Sequence, residues 1–221
     1  MQDGWPRWIE QQLVRRGITD QRVLAAMARV PREDFVPAAQ RRLAHSDSPL
    51  PIGCGQTISQ PFIHAISLQA LELRGSERVL EVGTGSGYET ALLSHLVREV
   101  YSVEILAPLV HQAQPAIRRH ERAPVHLRVA DGRLGWPEAA PFDAIVVGAA
   151  AETVPEALLE QLAVGGRLVI PVGGESGQTL ERIRKLPDGT LERRVLDQVL
   201  FVPLVSGEDL PASRSAGPPP A

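Results

Sequence analysis

Val79-Leu80-Glu81-Val82-Gly83-Thr84-Gly85-Ser86-Gly87-Tyr88 decides the reading of this 221-residue chain. A short apolar run carries an acid, glycine then recurs at every second position, and a helix-like segment from Glu89 to Leu96 follows. That order predicts a strand, a glycine-rich turn and a helix. Glycines let the backbone turn tightly and let a ligand approach without meeting a Cβ. The helix N-terminus behind them presents free N–H groups. A nucleotide-like cofactor at the carboxyl end of a parallel sheet is the expected consequence.

Working outward, short apolar strands alternate with amphipathic helices. Strands are expected at Arg78–Val82, Val100–Glu104, Val125–Val129, Ala144–Val147 and Arg167–Pro171, and helices at Tyr88–Leu96, Ala107–His120 and Pro155–Gln161. This pattern predicts βαβ units and an α/β, mostly parallel, doubly wound sheet covered on both faces. Upstream, Ile9, Leu13, Val23, Leu24 and Met27 fall at helical spacing, predicting two helices split near Gly17-Ile18-Thr19-Asp20, with Thr19 or Asp20 as cap and Pro31 as terminator. A short helix is expected over Ala38–Ala44, a loop over Asp47–Gln60, and a helix from Pro61 to Leu71. Near the C-terminus, Leu180–Lys185 and Val199–Val205 are expected as antiparallel strands around the turn signal Pro187-Asp188-Gly189. The resulting division is an N-terminal helical extension with a substrate loop (1–75), a cofactor-binding core (76–205) and a disordered tail (206–221).

Composition narrows the function classes. A net charge of −3 gives no electrostatic case for nucleic acid or an anionic membrane surface. No apolar run approaches the roughly 18 residues of a membrane span, and the N-terminus lacks a signal-peptide pattern, so a cytoplasmic protein is expected. Cys54 is the only cysteine, which excludes an internal disulfide and a thiolate zinc cluster. The six histidines lack ligand spacing, so no metal is expected. The chain is expected to be a monomer.

The glycine spacing selects among cofactors. A dinucleotide fingerprint, G-x-G-x-x-G, would need glycine where Tyr88 stands. That argues against a nicotinamide oxidoreductase. The observed E-x-G-x-G-x-G resembles the first motif of the S-adenosylmethionine-dependent methyltransferases with a Rossmann-like core. Three acids lie at successive strand ends: Glu81, Glu104 and Asp131. Glu104 stands 21 residues after Gly83, where a ribose-binding acid belongs. A carboxylate there can accept two bonds from vicinal hydroxyls. Asp131 is suited to the adenine amino group. The expected cofactor site comprises Glu81, Gly83, Thr84, Gly85, Ser86, Glu104, Asp131 and Gly132.

A second signal is Pro49-Leu50-Pro51-Ile52-Gly53-Cys54-Gly55-Gln56-Thr57-Ile58-Ser59-Gln60-Pro61, continued by Phe62-Ile63-His64-Ala65. It closely resembles the signature loop of the protein-L-isoaspartate O-methyltransferases. Val30-Pro31-Arg32-Glu33-Asp34-Phe35-Val36-Pro37, Phe142–Ala151, Leu162–Gly173 and Phe201–Val205 are similar to further segments of that family, in order. Two positions depart from the family pattern: Ala44-His45-Ser46-Asp47 lacks an aromatic residue before the acid, and Glu89 stands where glutamine is usual.

The resemblance implies a repair enzyme. It would transfer the methyl of S-adenosylmethionine, leaving S-adenosylhomocysteine, to the α-carboxylate of L-isoaspartyl residues in damaged proteins and peptides. The ester then closes to a succinimide. Its position in the matching loop makes Ser59 the catalytic candidate, orienting the carboxylate as a neutral donor. Thr57, Ile58 and His64 are the substrate-binding candidates. A Ser59-His64-Asp hydrolase triad does not fit, because the loop is not a G-x-S-x-G elbow. Two alternatives share these residues: a carboxylate methyltransferase acting on a dedicated natural-product peptide, and a cofactor-binding adaptor that recognises isoaspartyl ends without turnover.

Overall fold

The structure, a computed structural model, describes residues 4–174 and 176–207. The chain begins with α1 (Arg7–Gln12), a 3-10 turn (Val14–Arg16) and α2 (Gln21–Arg29). Asp20 caps α2, its carboxylate accepting the N–H groups of Arg22 and Val23, a contribution of about 1 kcal/mol. The helix stops at Val30, as the following Pro31 requires. Arg32–Phe35 and Ala38–Leu43 are 3-10 turns.

The expected loop over Asp47–Gln60 contains a two-stranded antiparallel hairpin, β1 (Leu50–Gly53) and β2 (Gln56–Ile58), which forms its own small sheet. Gly53, Cys54 and Gly55 turn the chain at φ 98°, 52° and 70°. Pro51 and the Gly53-Cys54-Gly55 turn conceal strands this short from a periodicity argument. The inward side chains are Leu50, Ile52 and Ile58, all buried. Pro61 opens α3 (Pro61–Ala70).

Seven strands form the main sheet: β3 (Arg78–Val82), β4 (Glu99–Glu104), β5 (Val125–Val129), β6 (Phe142–Val147), β7 (Leu162–Gly174), β8 (Gly177–Lys185) and β9 (Leu191–Val199), in the order β5-β4-β3-β6-β7-β8-β9. The five strands from β5 to β7 are parallel, and β8 and β9 continue antiparallel. Helices α4 (Tyr88–Ser94), α5 (Ala107–His120) and α6 (Glu156–Gln161) make three of the crossovers, and the β5-to-β6 crossover carries the 3-10 turns Gly132–Leu134 and Pro137–Ala139. Alternate strand residues serve two cores. Val79, Ala144, Val146 and Val169 join the cluster that contains Ile9, Leu24, Leu68 and Leu92. Leu80, Val82, Ile145, Val147 and Leu168 pack with Leu158 on the opposite face. The fold is the α/β, Rossmann-like arrangement expected, with an N-terminal helical extension and antiparallel C-terminal strands.

One strand is displaced from its expected position. The turn around Pro187-Asp188-Gly189 is present, with Gly189 N–H donating to the Leu186 carbonyl at 2.9 Å, but the strand after it is Leu191–Val199. Its Glu192, Arg193 and Arg194 are exposed on the edge strand, where charge is tolerated. Of the expected Val199–Val205 strand only Val199 belongs to β9; Leu200–Val205 leaves the sheet. It makes a single bridge, Pro203 with Ala150, and covers the carboxyl ends of the strands. Ser206, expected in the tail, is buried; residues 208–221 of that expected tail lie outside the described residues. Among the described residues no helix is long and apolar enough to cross a membrane.

Candidate active site

The strand order reverses at β3, with β4 and β5 to one side and β6 to the other. A cavity of about 240 Å³ opens at this point, bounded by Val82 and Gly83 after β3, Glu104 after β4 and Gly148 after β6. Open α/β sheets bind ligands at this position because the diverging crossovers leave a crevice there. Main-chain bonds fix its floor: Gly83 N–H donates to the Val103 carbonyl at 2.7 Å and Gly148 N–H to the Val82 carbonyl at 2.8 Å.

The glycines have distinct duties. Gly83 and Gly85 line the cavity. Gly87 does not. It begins α4 at φ 83°, and a Cβ there would stand 2.6 Å from Ile117 Cγ1 of α5. The third glycine therefore exists so that α4 and α5 can approach closely.

Glu104 is buried at the cavity edge, accepting from Gly85 N–H at 2.9 Å through Oε2 and from Leu106 N–H at 3.0 Å through Oε1. Burial holds its carboxyl above the ordinary range against the pull of these N–H groups. A carboxylate offers about four lone-pair sites, so acceptor capacity remains for a pair of hydroxyls. Beyond it, Ile105, Leu106 and Leu109 form an apolar wall fit for a flat ring.

Glu81 is not in the cavity lining. It lies beneath the glycine loop, wholly buried. Its Oε2 accepts the hydroxyls of Thr90 and Ser102, and Thr84 Oγ1 in turn donates to Ser102 Oγ at 2.6 Å. Burial, reinforced by the Glu89 carboxylate, pushes the Glu81 carboxyl up to about 8, with Ser102 and Thr90 opposing the rise. Glu81 thus supports the loop through Thr84. Asp131 is also outside the lining. It caps the turn Gly132–Leu134 and is gripped by Arg133, with Nη2 to Oδ2 at 2.8 Å. Burial opposes its ionisation, but the Arg133 side chain and N–H outweigh that and hold the carboxyl below the usual range. Gly132 does line the cavity.

The β1–β2 hairpin and α3 close the other side. Thr57, Ile58, Ser59 and His64 all reach the lining. Ser59 does not cap α3. Asp47 takes that duty from a distance, its Oδ1 accepting Phe62 N–H at 3.1 Å. His64 Nδ1 lies 3.4 Å from Glu89 Oε1, both side chains in the wall. Glu89 also stands in the first turn of α4, where a carboxylate complements the helix dipole.

A second cavity, of about 430 Å³, adjoins the first and shares Thr57, Ser59, Gly148 and Val202 with it. Its remaining lining, including Pro49, Ile63, Leu200 and Phe201, contains no charged side chain. The Val202–Val205 segment closes the first cavity from above. Sequence reasoning missed this cover and the Ile105–Leu109 wall. The apolar run directly after Glu104 was the available signal for the wall. No three His, Cys, Asp or Glu side chains cluster as a metal site among the described residues.

Comparison with known proteins agrees with this geometry. The family model for protein-L-isoaspartate(D-aspartate) O-methyltransferase (PCMT) matches residues 7–209. A protein-L-isoaspartate O-methyltransferase 2 of Marinobacter nauticus is 56% identical over 201 residues, covering 90% of this chain and 92% of the relative. A protein-L-isoaspartate O-methyltransferase of Trichlorobacter lovleyi is 53% identical over 199 residues, covering 90% of this chain and 92% of the relative. The crystal structure of a Plasmodium falciparum protein assigned to the same family, in complex with S-adenosyl-L-homocysteine, superposes with a TM-score of 0.80 at 29% identity, covering 92% of this chain and 99% of that one. A match that spans residues 7–209, and with them the cofactor turn, the Ser59 loop and the closing segment, places the chain in the protein-L-isoaspartate(D-aspartate) O-methyltransferase family.

Proposed function

We propose that the chain methylates the α-carboxylate of L-isoaspartyl residues in proteins and peptides, with the first cavity holding S-adenosylmethionine and the second the peptide. The observation that carries this reading is the junction of the two cavities at Thr57, Ser59, Gly148 and Val202. A donor and an acceptor bound in the two chambers meet there and nowhere else along these linings.

The residues of the first cavity fit the cofactor. Glu104 keeps acceptor capacity for ribose hydroxyls, the Ile105–Leu109 wall suits adenine, and the Gly83–Ser86 turn suits the amino-acid end. When bound, S-adenosylmethionine supplies a methyl group on a positively charged sulfur. Glu81 acts in this reading from behind the loop, and Asp131 by shaping the turn that carries Gly132.

The protein needs no general base. An α-carboxyl group has an ordinary pKa near 3.5 and is ionised at neutral pH. Ser59 orients the carboxylate by donating a hydrogen bond, which leaves its charge intact, and Thr57 offers a second donor. Ile58 and the Val202–Val205 cover exclude water. His64, held beside Glu89, lines the first cavity and not the second, so in this reading it meets the substrate only where the reacting carboxylate enters the first. Alignment of this kind supplies roughly 7–11 kcal/mol of a barrier. The uncharged peptide cavity accommodates varied flanking residues. The N-terminal 75 residues and the core act as one catalytic unit, since the hairpin forms one wall of the site.

The test is methyl transfer from labelled S-adenosylmethionine to one synthetic peptide in L-isoaspartyl and L-aspartyl forms. Transfer to the isoaspartyl form alone is expected, with Ser59→Ala lowering kcat by about 10–100-fold, the range of a lost orienting hydrogen bond. Equal transfer to both forms would overturn the substrate assignment.

A further inference from the structure

We propose that Arg32 is a positioning residue for methyl transfer, fastening the base of the β1–β2 hairpin so that the Ser59 hydroxyl stands at the junction of the two cavities. This rests on the role given above to Ser59.

Arg32 is wholly buried and belongs to the N-terminal 3-10 turn, outside both cavity linings. Its Nη1 donates to the Ala44 carbonyl, and its Nη2 donates to the carbonyls of Ser48, at 3.3 Å, and Ser59, at 2.9 Å. The outermost pair of the hairpin is Leu50 with Ile58. Ser48 therefore lies on the chain entering the hairpin and Ser59 on the chain leaving it, and one guanidinium nitrogen holds both. The hairpin is not hydrogen-bonded into the main sheet, so its placement depends on such ties.

The chemistry is specific to arginine. An apolar residue would fill the space at lower desolvation cost, and burial already lowers this guanidinium to about 10. Asp47, the nearby carboxylate, is bonded to Arg16 and to Phe62 N–H rather than to Arg32. The charge is thus used on main-chain carbonyls, and only a planar fork of donors reaches three of them at once. Fixing the Ser59 carbonyl fixes its φ/ψ frame, from which the hydroxyl projects.

The experiment is a double-mutant cycle. Wild type, Arg32→Lys, Ser59→Ala and the double variant are assayed for kcat and KM with the isoaspartyl peptide, alongside calorimetric binding of S-adenosylhomocysteine and thermal melting. Arg32→Lys is expected to lower kcat by about tenfold while leaving S-adenosylhomocysteine affinity within about twofold. In the Ser59→Ala background the same change is expected to cost less than about threefold, because the two act through one hydroxyl. Equal losses in both backgrounds would overturn the positioning role, as would parallel weakening of S-adenosylhomocysteine binding. Arg32→Gln serves as a second variant, and loss of a cooperative melt in both would assign Arg32 to folding instead. Ser59→Ala behaving as wild type would overturn the Ser59 reading itself, an outcome separate from additivity.

Discussion

Nδ1 of His64 lies 3.4 Å from Oε1 of Glu89, and the two side chains, from α3 and α4, are only 7% and 11% exposed. The pair joins the element carrying the substrate loop to the element carrying the cofactor turn. Glu89→Gln keeps the shape and removes the charge. We expect peptide KM to rise about fivefold, the equivalent of ~1 kcal/mol for a partly buried charged contact, with a smaller change in S-adenosylhomocysteine affinity, although both side chains line the first cavity. Steady-state kinetics with varied peptide, beside calorimetry of the product, checks this; an unchanged KM would remove His64 from substrate contact.

Glu81 gives the fold a pH-dependent weakness. Its carboxyl is raised from 4.5 to about 8, first by burial and then by Glu89. The unfolded chain ionises it at the lower value, so the contribution to stability is fully present below 4.5 and is lost as pH rises toward 8. Glu81→Gln keeps an acceptor for Thr90 and Ser102 and removes this titration. The melting temperature of the variant relative to wild type should climb between pH 5 and 8 and level off above. A gap independent of pH would contradict the raised value.

Glu104 has two functions, holding Gly85 and Leu106 N–H and facing the cavity. Glu104→Ala should weaken S-adenosylhomocysteine binding by about 100-fold, since each charge-assisted bond is worth ~1.5–3 kcal/mol. Calorimetric titration measures it directly. A change of less than fivefold would place the ribose elsewhere.

Gly87→Ala sets a Cβ 2.6 Å from Ile117 Cγ1 at a residue with φ 83°. The overpacking and the positive φ together should cost roughly 2–4 kcal/mol. Adding Ile117→Ala should cost less in this variant than in wild type, because it relieves the clash. Denaturant melts of the four proteins measure the coupling, and strict additivity would show that α5 simply moves away.

Much of this arrangement was legible in the sequence, and for a reason. β3, β5 and α5 begin and end where the pattern places them: the buried β3 is a short apolar run, the partly exposed edge strand β5 alternates apolar and polar residues, and the crossover helix presents one apolar face. The glycine turn, the acid ending β4 and the Ser59 loop are local in sequence and local in space, so their chemistry could be assigned from spacing and family resemblance.

What only the tertiary structure decided concerns groups whose surroundings come from distant residues. Glu81, next to last in β3, and Asp131, two residues after β5, stand near strand ends, as a cofactor ligand would. Yet Glu81 is enclosed by Thr90 and Ser102, and Asp131 is held by its neighbour Arg133. A strand-end position does not say which way a side chain faces. The charged Leu191–Val199 strand was masked because an edge strand needs no apolar periodicity, while Leu200–Val205, apolar and strand-like, lies partly exposed along the cavities, with Val202–Val205 lining the first. Arg32 stands 27 residues from Ser59, and nothing in local propensity connects them. Sequence fixes which segments can bury apolar surface; the packing of those segments alone determines which buried polar groups meet.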